Sequence, residues 1–141
     1  MAGHQVVVDI YGPEPRDAQA TADSPGGTYT WPGAALSTST RRFYFDRGLR
    51  TLVRATWELA WIPDGTGDGV RLVHMDDGPT NITQIAERTG APAGYEYYTA
   101  DLTSAINALI ASGVFKHIGL QWKASGTIEV HRSSLVLVFG D

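Results

Sequence analysis

The sequence has no cysteine, few charged residues and no apolar run long enough to span a membrane, and each shortage excludes a class of protein. Without cysteine there is neither a disulfide framework nor a thiolate zinc site. This absence fits a reducing compartment, or a particle assembled in one. Charged residues make up 18% of the chain and the formal charge is −4, which argues against a nucleic-acid-binding surface.

Length and glycine content point to one turn-rich domain. The 141 residues suit a single domain spanning 1–141 with one core. The 16 glycines favour β architecture over a helical bundle. The N-terminal residues lack a basic segment followed by a long apolar core, so we expect no signal peptide and no membrane contact.

Apolar residues at every second position predict the two inner walls of a β-sandwich. One wall is expected from Val53 to Trp61, which places Trp57 and Trp61 in the core. The other is expected from Ile118 to Val130. The predicted fold class is therefore all-β: an antiparallel β-sandwich, most simply a jelly roll, with one or two short helices and a long extended N-terminal segment.

Two helices are predicted from spacing and capping. The first follows Asp101, whose carboxylate can accept a hydrogen bond from a free N–H of the first turn. Its apolar stripe consists of Leu102, Ala105, Ile106, Leu109 and Ile110. The second is expected after a Thr80 or Asn81 cap and to end near Gly90. Its apolar residues are Ile82, Ile85 and Ala86.

Two glycine-containing links predict hairpins, and one stretch predicts an irregularity. Residues 63–69 and 124–126 are each expected to join neighbouring strands of one hairpin. Large apolar residues change from even to odd positions across 132–134, as at a β-bulge. Alternatively, Val136 and Val138 are buried as well, in a strand covered on both faces.

Residues 12–40 form a segment poor in large side chains, and it is too long for a structureless loop unless it has a function. It is expected to be either a surface loop or an arm that lies on a neighbouring subunit. Three residues are the candidate partner contacts: Tyr29, Trp31 and Leu36.

Evidence for metal or catalytic chemistry in the sequence is weak. Asp64, Thr66 and Asp68 match the start of a calcium loop, but Met75 occupies the position of the bidentate glutamate, so a turn is favoured. His117 and His131 are expected to be cross-strand neighbours in the final hairpin, exposed in solvent. Because no nucleophile, base and oxyanion hole can be assembled, we expect no cofactor and no enzymatic activity.

A run of tyrosines leaves two interpretations open. Tyr95, Tyr97 and Tyr98 either cap the end of the core or form a surface on which the apolar face of a sugar stacks. The second interpretation makes a glycan a candidate ligand.

The last third of the chain resembles the final strands of galactose-binding-like jelly-roll modules. The similarity lies in residues 98–103, with the Asp101-Leu102-Thr103 step, and in 117–123 and 128–137. This group includes carbohydrate-binding modules and structural proteins of tailed phages. The resemblance implies a non-catalytic virion protein, decorating the capsid or forming a head or tail appendage after assembly in the host cytoplasm. Expected partners are further copies of the chain and other virion proteins such as the major capsid protein; the alternative is a carbohydrate-binding module.

Overall fold

The protein, seen in a computed structural model, consists mainly of strands, with one helix among the described residues. Those residues are 4–11, 21–32, 40–43, 51–75, 81–112 and 116–140. In chain order the elements are β1 (His4–Tyr11), β2 (Thr21–Asp23), β3 (Gly26–Thr30), β4 (Thr40–Phe43), β5 (Thr51–Ile62), β6 (Gly69–Met75), β7 (Thr83–Thr89), β8 (Glu96–Asp101), α1 (Thr103–Ser112), β9 (Lys116–Ala124) and β10 (Ile128–Gly140).

The strands form two antiparallel sheets. Sheet A has the order β1, β10, β5, β8, and β2 pairs with β10 beyond the end of β1. Sheet B has the order β3, β9, β6, β7, and β4 pairs with β9 beside β3. The predicted antiparallel sandwich is confirmed, and this arrangement is consistent with a jelly roll.

Strands that follow each other in sequence often lie in different sheets, and this corrects two predictions. β5 belongs to sheet A and β6 to sheet B, so the link at 63–68 is not a hairpin turn. Likewise β9 belongs to sheet B and β10 to sheet A, so the link at 125–127 crosses the sandwich. Both predictions were wrong because a strand with one buried face has the same alternation whichever sheet its successor joins.

The core lies between the sheets, where both predicted walls supply their large side chains. Trp57 and Trp61 from β5 are fully buried, as are Ile118 and Trp122 from β9. Within the predicted wall Val53 is an exception, because it is 58% exposed.

The exposure of Val53 has a local cause in the strand pairing. The register between β5 and β10 shifts between Val138 and Phe139, which pair with Arg54 and Leu52. Val53 is therefore bulged out, and Leu52, which is 5% exposed, takes the inward position.

The predicted β-bulge in β10 is confirmed one residue before the predicted stretch. The register to β5 shifts between Val130 and Arg132, so His131 is the extra residue. Before the shift Val130 points inward, and after it Leu135 does. The inserted residue therefore turns the odd-numbered side chains toward the core.

The first predicted helix is confirmed as α1. Asp101 Oδ1 accepts hydrogen bonds from Thr103 N (2.9 Å) and from Thr103 Oγ1 (2.5 Å), and these bonds lower the pKa of the Asp101 carboxyl. The buried face of α1 contains Ile106 and Leu109. No helix in the described ranges has the length and apolarity that a membrane crossing requires.

The second predicted helix is wrong, because residues 83–89 form strand β7. This strand pairs with β6, and Ala86 lies opposite Leu72. Three apolar residues are too few to distinguish a helical period from a strand whose pairing is irregular. Here the register between β6 and β7 shifts between Leu72 and Val73.

The described part of the predicted arm or loop lies on its own body. Residues 21–32 contain β2, which pairs with β10, and β3, which pairs with β9. This part of the segment therefore runs from sheet A to sheet B of the same chain. Residues 12–20 and 33–39 lie outside the described residues.

Candidate functional site

The outer face of sheet A carries a group of polar and aromatic side chains that extends across its four strands from β1 to β8. Trp57, Leu59 and Trp61 point inward, so the residues between them point outward. We call this surface the platform. It consists of Asp9, Glu58, Ala60, Tyr97, Glu129, Arg132 and Ser134, placed by the strand register, and of His131 and Tyr95, placed by their contacts with Glu129 and with each other.

Ala60 forms the floor of the platform. In the register of β5 it lies opposite Arg132 on one side and opposite Tyr97 on the other. The side chain of Ala60 is a single methyl group, so the longer side chains of Arg132 and Tyr97 extend further from the sheet on its two sides. The backbones of Arg132 and Tyr97 are two strand spacings apart, which is about 10 Å.

Two of the three candidate tyrosines are presented on the platform. Tyr95 is 64% exposed and Tyr97 is 57% exposed. Tyr98 points the other way and packs edge-on against Trp57, with ring centroids 5.9 Å apart. The Arg88 guanidinium lies 4.7 Å from the Tyr98 ring centroid. Tyr98 therefore belongs to the margin of the core and not to the exposed surface.

Arg132 is held in place by residues from two strands. Its Nε donates to Ser134 Oγ (2.7 Å), and one terminal nitrogen lies 3.1 Å from Asp9 Oδ1. Ser134 Oγ in turn donates to the same oxygen of Asp9 over 2.8 Å. This network joins β1 to β10, and the contact with Asp9 directs the guanidinium toward β1. Its central residue, Ser134, is buried.

Tyr97 is a diagonal neighbour of Glu58, because Tyr97 pairs with Ala60 and Glu58 pairs with Thr99. Partial removal from solvent, and then the hydrogen bond to Glu58, raise the pKa of the Tyr97 hydroxyl, while the charge of Arg132 acts in the opposite direction. The hydroxyl therefore stays protonated and donates to the carboxylate. With 57% of its surface exposed, the Tyr97 side chain is accessible to a ligand.

His131, placed outward by the bulge, joins Tyr95 to Glu129. The rings of His131 and Tyr95 meet edge to face, with centroids 6.0 Å apart at 85°. His131 Nε2 lies 3.1 Å from Glu129 Oε1. The second exposed tyrosine thus also has a defined neighbour, and the platform presents two aromatic rings beside oriented polar groups.

Tyr29, a predicted partner contact, contacts its own sheet. The Arg71 guanidinium lies 4.3 Å and the Lys123 amine 4.8 Å from the centroid of its half-buried ring. Its hydroxyl donates to Glu87 Oε2 over 2.6 Å, and burial first, then this bond, raise the pKa of the hydroxyl. Trp31 is half-buried after β3, and its partner contact stays a prediction; Leu36 lies outside the described residues.

The weak calcium candidate contains a structural carboxylate. Asp68 is fully buried; its Oδ2 accepts from Asp64 N (2.6 Å) and its Oδ1 from Ser125 N (3.3 Å). It thereby ties together the two links that cross between the sheets, while Thr66 is exposed. Among the described residues, no three His, Cys, Asp or Glu side chains are grouped so as to hold a metal ion.

The two histidines predicted to be cross-strand neighbours lie in different sheets. His117 is in β9 of sheet B, opposite Met75, whereas His131 is in β10 of sheet A. The prediction that they are cross-strand neighbours is wrong, because β9 and β10 do not pair. A site that uses both is therefore not formed within the chain.

Sequence reasoning missed part of the platform. Asp9 and Arg132 were not singled out, since only the pairing of β1 with β10 brings them together. The one available signal was the change of phase near His131, which indicated that β10 redirects its side chains.

Comparisons with known proteins add no relative: neither a protein-family model nor a curated protein matches the chain.

Proposed function

We propose that this protein is a non-catalytic binding module that holds a glycan on the platform of sheet A. The observation that carries the proposal is the exposure of Tyr95 and Tyr97 beside hydrogen-bonded side chains on one sheet face. Neighbouring outward residues of a strand are about 7 Å apart, so the two rings offer successive stacking positions along a chain of sugars. Glu58 and Glu129 supply acceptors for sugar hydroxyls.

Removing the Tyr97 ring tests this function. Tyr97→Ala should lower glycan affinity at least about tenfold, because stacking of a ligand ring on one aromatic side chain contributes on the order of 1–3 kcal/mol. Tyr97→Phe keeps the ring and should retain most of the affinity. Gln84→Ala, at an exposed position of β7 in sheet B, is the matched control.

Binding is measured on a glycan array and then by calorimetry, with thermal unfolding as the check on folding. The proposal fails if the array shows no ligand, or if Tyr97→Ala binds as tightly as the unaltered protein.

A second candidate function is a structural protein of a tailed-phage particle, as the resemblance of the C-terminal third implies. The favouring observation is a valine cluster on the other half of the same sheet face. Val7 is 44% and Val53 is 58% exposed, and Val136 and Val138 are half-buried nearby. Exposed apolar patches are typical of subunit contacts. In this role the protein would be a homo-oligomer in the virion, with neighbours such as the major capsid protein.

The two functions separate experimentally. Light scattering should give an oligomer that Val7→Lys dissociates, while Tyr97→Ala leaves it intact. A monomer at all concentrations, with no binding to particles, would rule out the structural role and leave the glycan site untouched.

A further inference from the structure

The platform carries an excess of negative charge. Three carboxylates belong to it, those of Asp9, Glu58 and Glu129, and Arg132 is the one permanent cation among its described residues. The whole chain has a formal charge of −4, so its long-range field has the same sign.

The one guanidinium is already engaged. Arg132 donates to Ser134 Oγ in its own strand and lies 3.1 Å from Asp9 Oδ1 in the neighbouring strand β1. A ligand carboxylate or sulfate would have to compete with Asp9 for it. Beyond the platform, Arg54 donates to Thr56 Oγ1 over 3.4 Å, and Thr56 is the outward residue of β5 that precedes Glu58.

The remaining carboxylates lie beside the two rings. Glu58 is the diagonal neighbour of Tyr97 across β5 and β8, and Glu129 lies next to His131, which contacts Tyr95. A cation placed on either tyrosine face is attracted both by the ring and by the neighbouring carboxylate. An anion at the same place is repelled by both.

We infer that the preferred ligand of the platform is a glycan with free amino groups, that neutral glycans bind more weakly, and that acidic glycans do not bind. This inference rests on the proposed glycan-binding function and specifies its ligand class. Amino sugars keep the apolar ring face for stacking and add an ammonium for Glu58 and Glu129.

The test compares two oligosaccharides that differ only in charge, a glucosamine oligomer and its N-acetylated counterpart of the same length. At about pH 6 free amines are protonated, and at about 0.01 M salt the Debye length is about 30 Å, so charge effects are fully expressed. We expect the glucosamine oligomer to bind about three- to tenfold more tightly, since exposed ion pairs contribute up to about 1 kcal/mol each. Oligogalacturonate should not bind.

Two variants locate the effect. Glu58→Gln keeps an acceptor for Tyr97 and should remove most of the preference for the amine without abolishing binding of the acetylated chain. Glu87→Gln removes a carboxylate from sheet B, keeps an acceptor for Tyr29, and should leave the preference unchanged. Raising the salt to about 0.5 M should reduce the preference toward unity in the unaltered protein.

Each further outcome decides the inference. Equal affinity for both oligomers, lost in Tyr97→Ala, overturns it and leaves the glycan function standing. Binding of oligogalacturonate overturns it as well. If Tyr97→Ala retains full affinity for the glucosamine oligomer and polylysine competes equally well, attraction is by charge alone and the inference is wrong. If no sugar binds, the proposed function fails with it.

Discussion

The ion pair between Arg88 and Glu96 joins the two sheets at their open edge, and removing it should destabilise the fold measurably. Arg88 is in β7 of sheet B and Glu96 in β8 of sheet A. Arg88 Nε donates to Glu96 Oε1 (2.8 Å) and a terminal nitrogen donates to Oε2 (2.6 Å). Trp61 Nε1 also donates to Oε1 over 3.0 Å.

The size of the effect follows from this geometry. The side chains are 27% and 24% exposed, so the pair is partly shielded from solvent. Two charge-assisted hydrogen bonds in such a position contribute about 2 kcal/mol after discounting for the remaining exposure. Arg88→Met should therefore lower the free energy of unfolding by about 2 kcal/mol, or the melting temperature by roughly 6–8 °C.

The electrostatic part of this stabilisation depends on pH, because it requires an ionised Glu96. The hydrogen bond from Arg88 lowers the pKa of the Glu96 carboxyl, with a smaller contribution from Trp61. The stabilisation is thus complete above the ordinary glutamate pKa of about 4.3 and is lost as the pH falls through the lowered folded value. The cost of Arg88→Met should shrink in acid.

The assay is urea unfolding followed by tryptophan fluorescence at about pH 7 and about pH 3, within a double-mutant cycle. The cycle with Glu96→Gln isolates the pair, because Arg88→Met also removes the contact with the Tyr98 ring. A coupling energy of about 1–2 kcal/mol at neutral pH is expected. A coupling near zero, or one equally large in acid, would refute this reasoning.

Two further predictions concern single contacts. The Ser133 hydroxyl accepts a hydrogen bond from the buried Trp57 indole N–H over 2.9 Å, and Ser133→Ala removes this acceptor. The free energy of unfolding in urea should fall by about 1–3 kcal/mol. Ser104→Ala, at an exposed position, should leave it almost unchanged. In Gly69→Ala the new Cβ would lie 2.5 Å from Tyr29 Oη and 2.9 Å from Thr89 Cγ2, so both side chains must shift. We expect a loss of about 1–3 kcal/mol. In a Tyr29→Phe background the loss should be smaller, because only the Thr89 contact remains, and an equal loss in both backgrounds would contradict the described contact with Tyr29.

The sequence predicted those features of the fold that depend on local periodicity. Alternation placed Trp57 and Trp61 in the core, and the helical stripe after Asp101 identified α1. The change of phase in β10 indicated a bulge, because one inserted residue inverts the faces of all that follow. Each of these inferences needed only neighbours along the chain.

The features that depend on which strands pair were not predictable in this way. Both predicted hairpins instead connect the two sheets, and the second predicted helix is strand β7, because local alternation identifies neither the partner strand nor the sheet. The same limit applies to the platform. Tyr97 was a candidate from its neighbours, but its position across Ala60 from Arg132 follows only from the pairing of three strands distant in sequence.

The most direct test of the glycan platform is to locate the bound ligand by nuclear magnetic resonance. An amide-labelled sample titrated with the glucosamine oligomer should show shift changes concentrated at residues 58–60, 95–99 and 129–134, with side-chain shifts for Tyr95 and Tyr97. Changes centred on Tyr29 and Arg71 of sheet B, or no saturable changes at all, would contradict the assignment of the binding surface to sheet A.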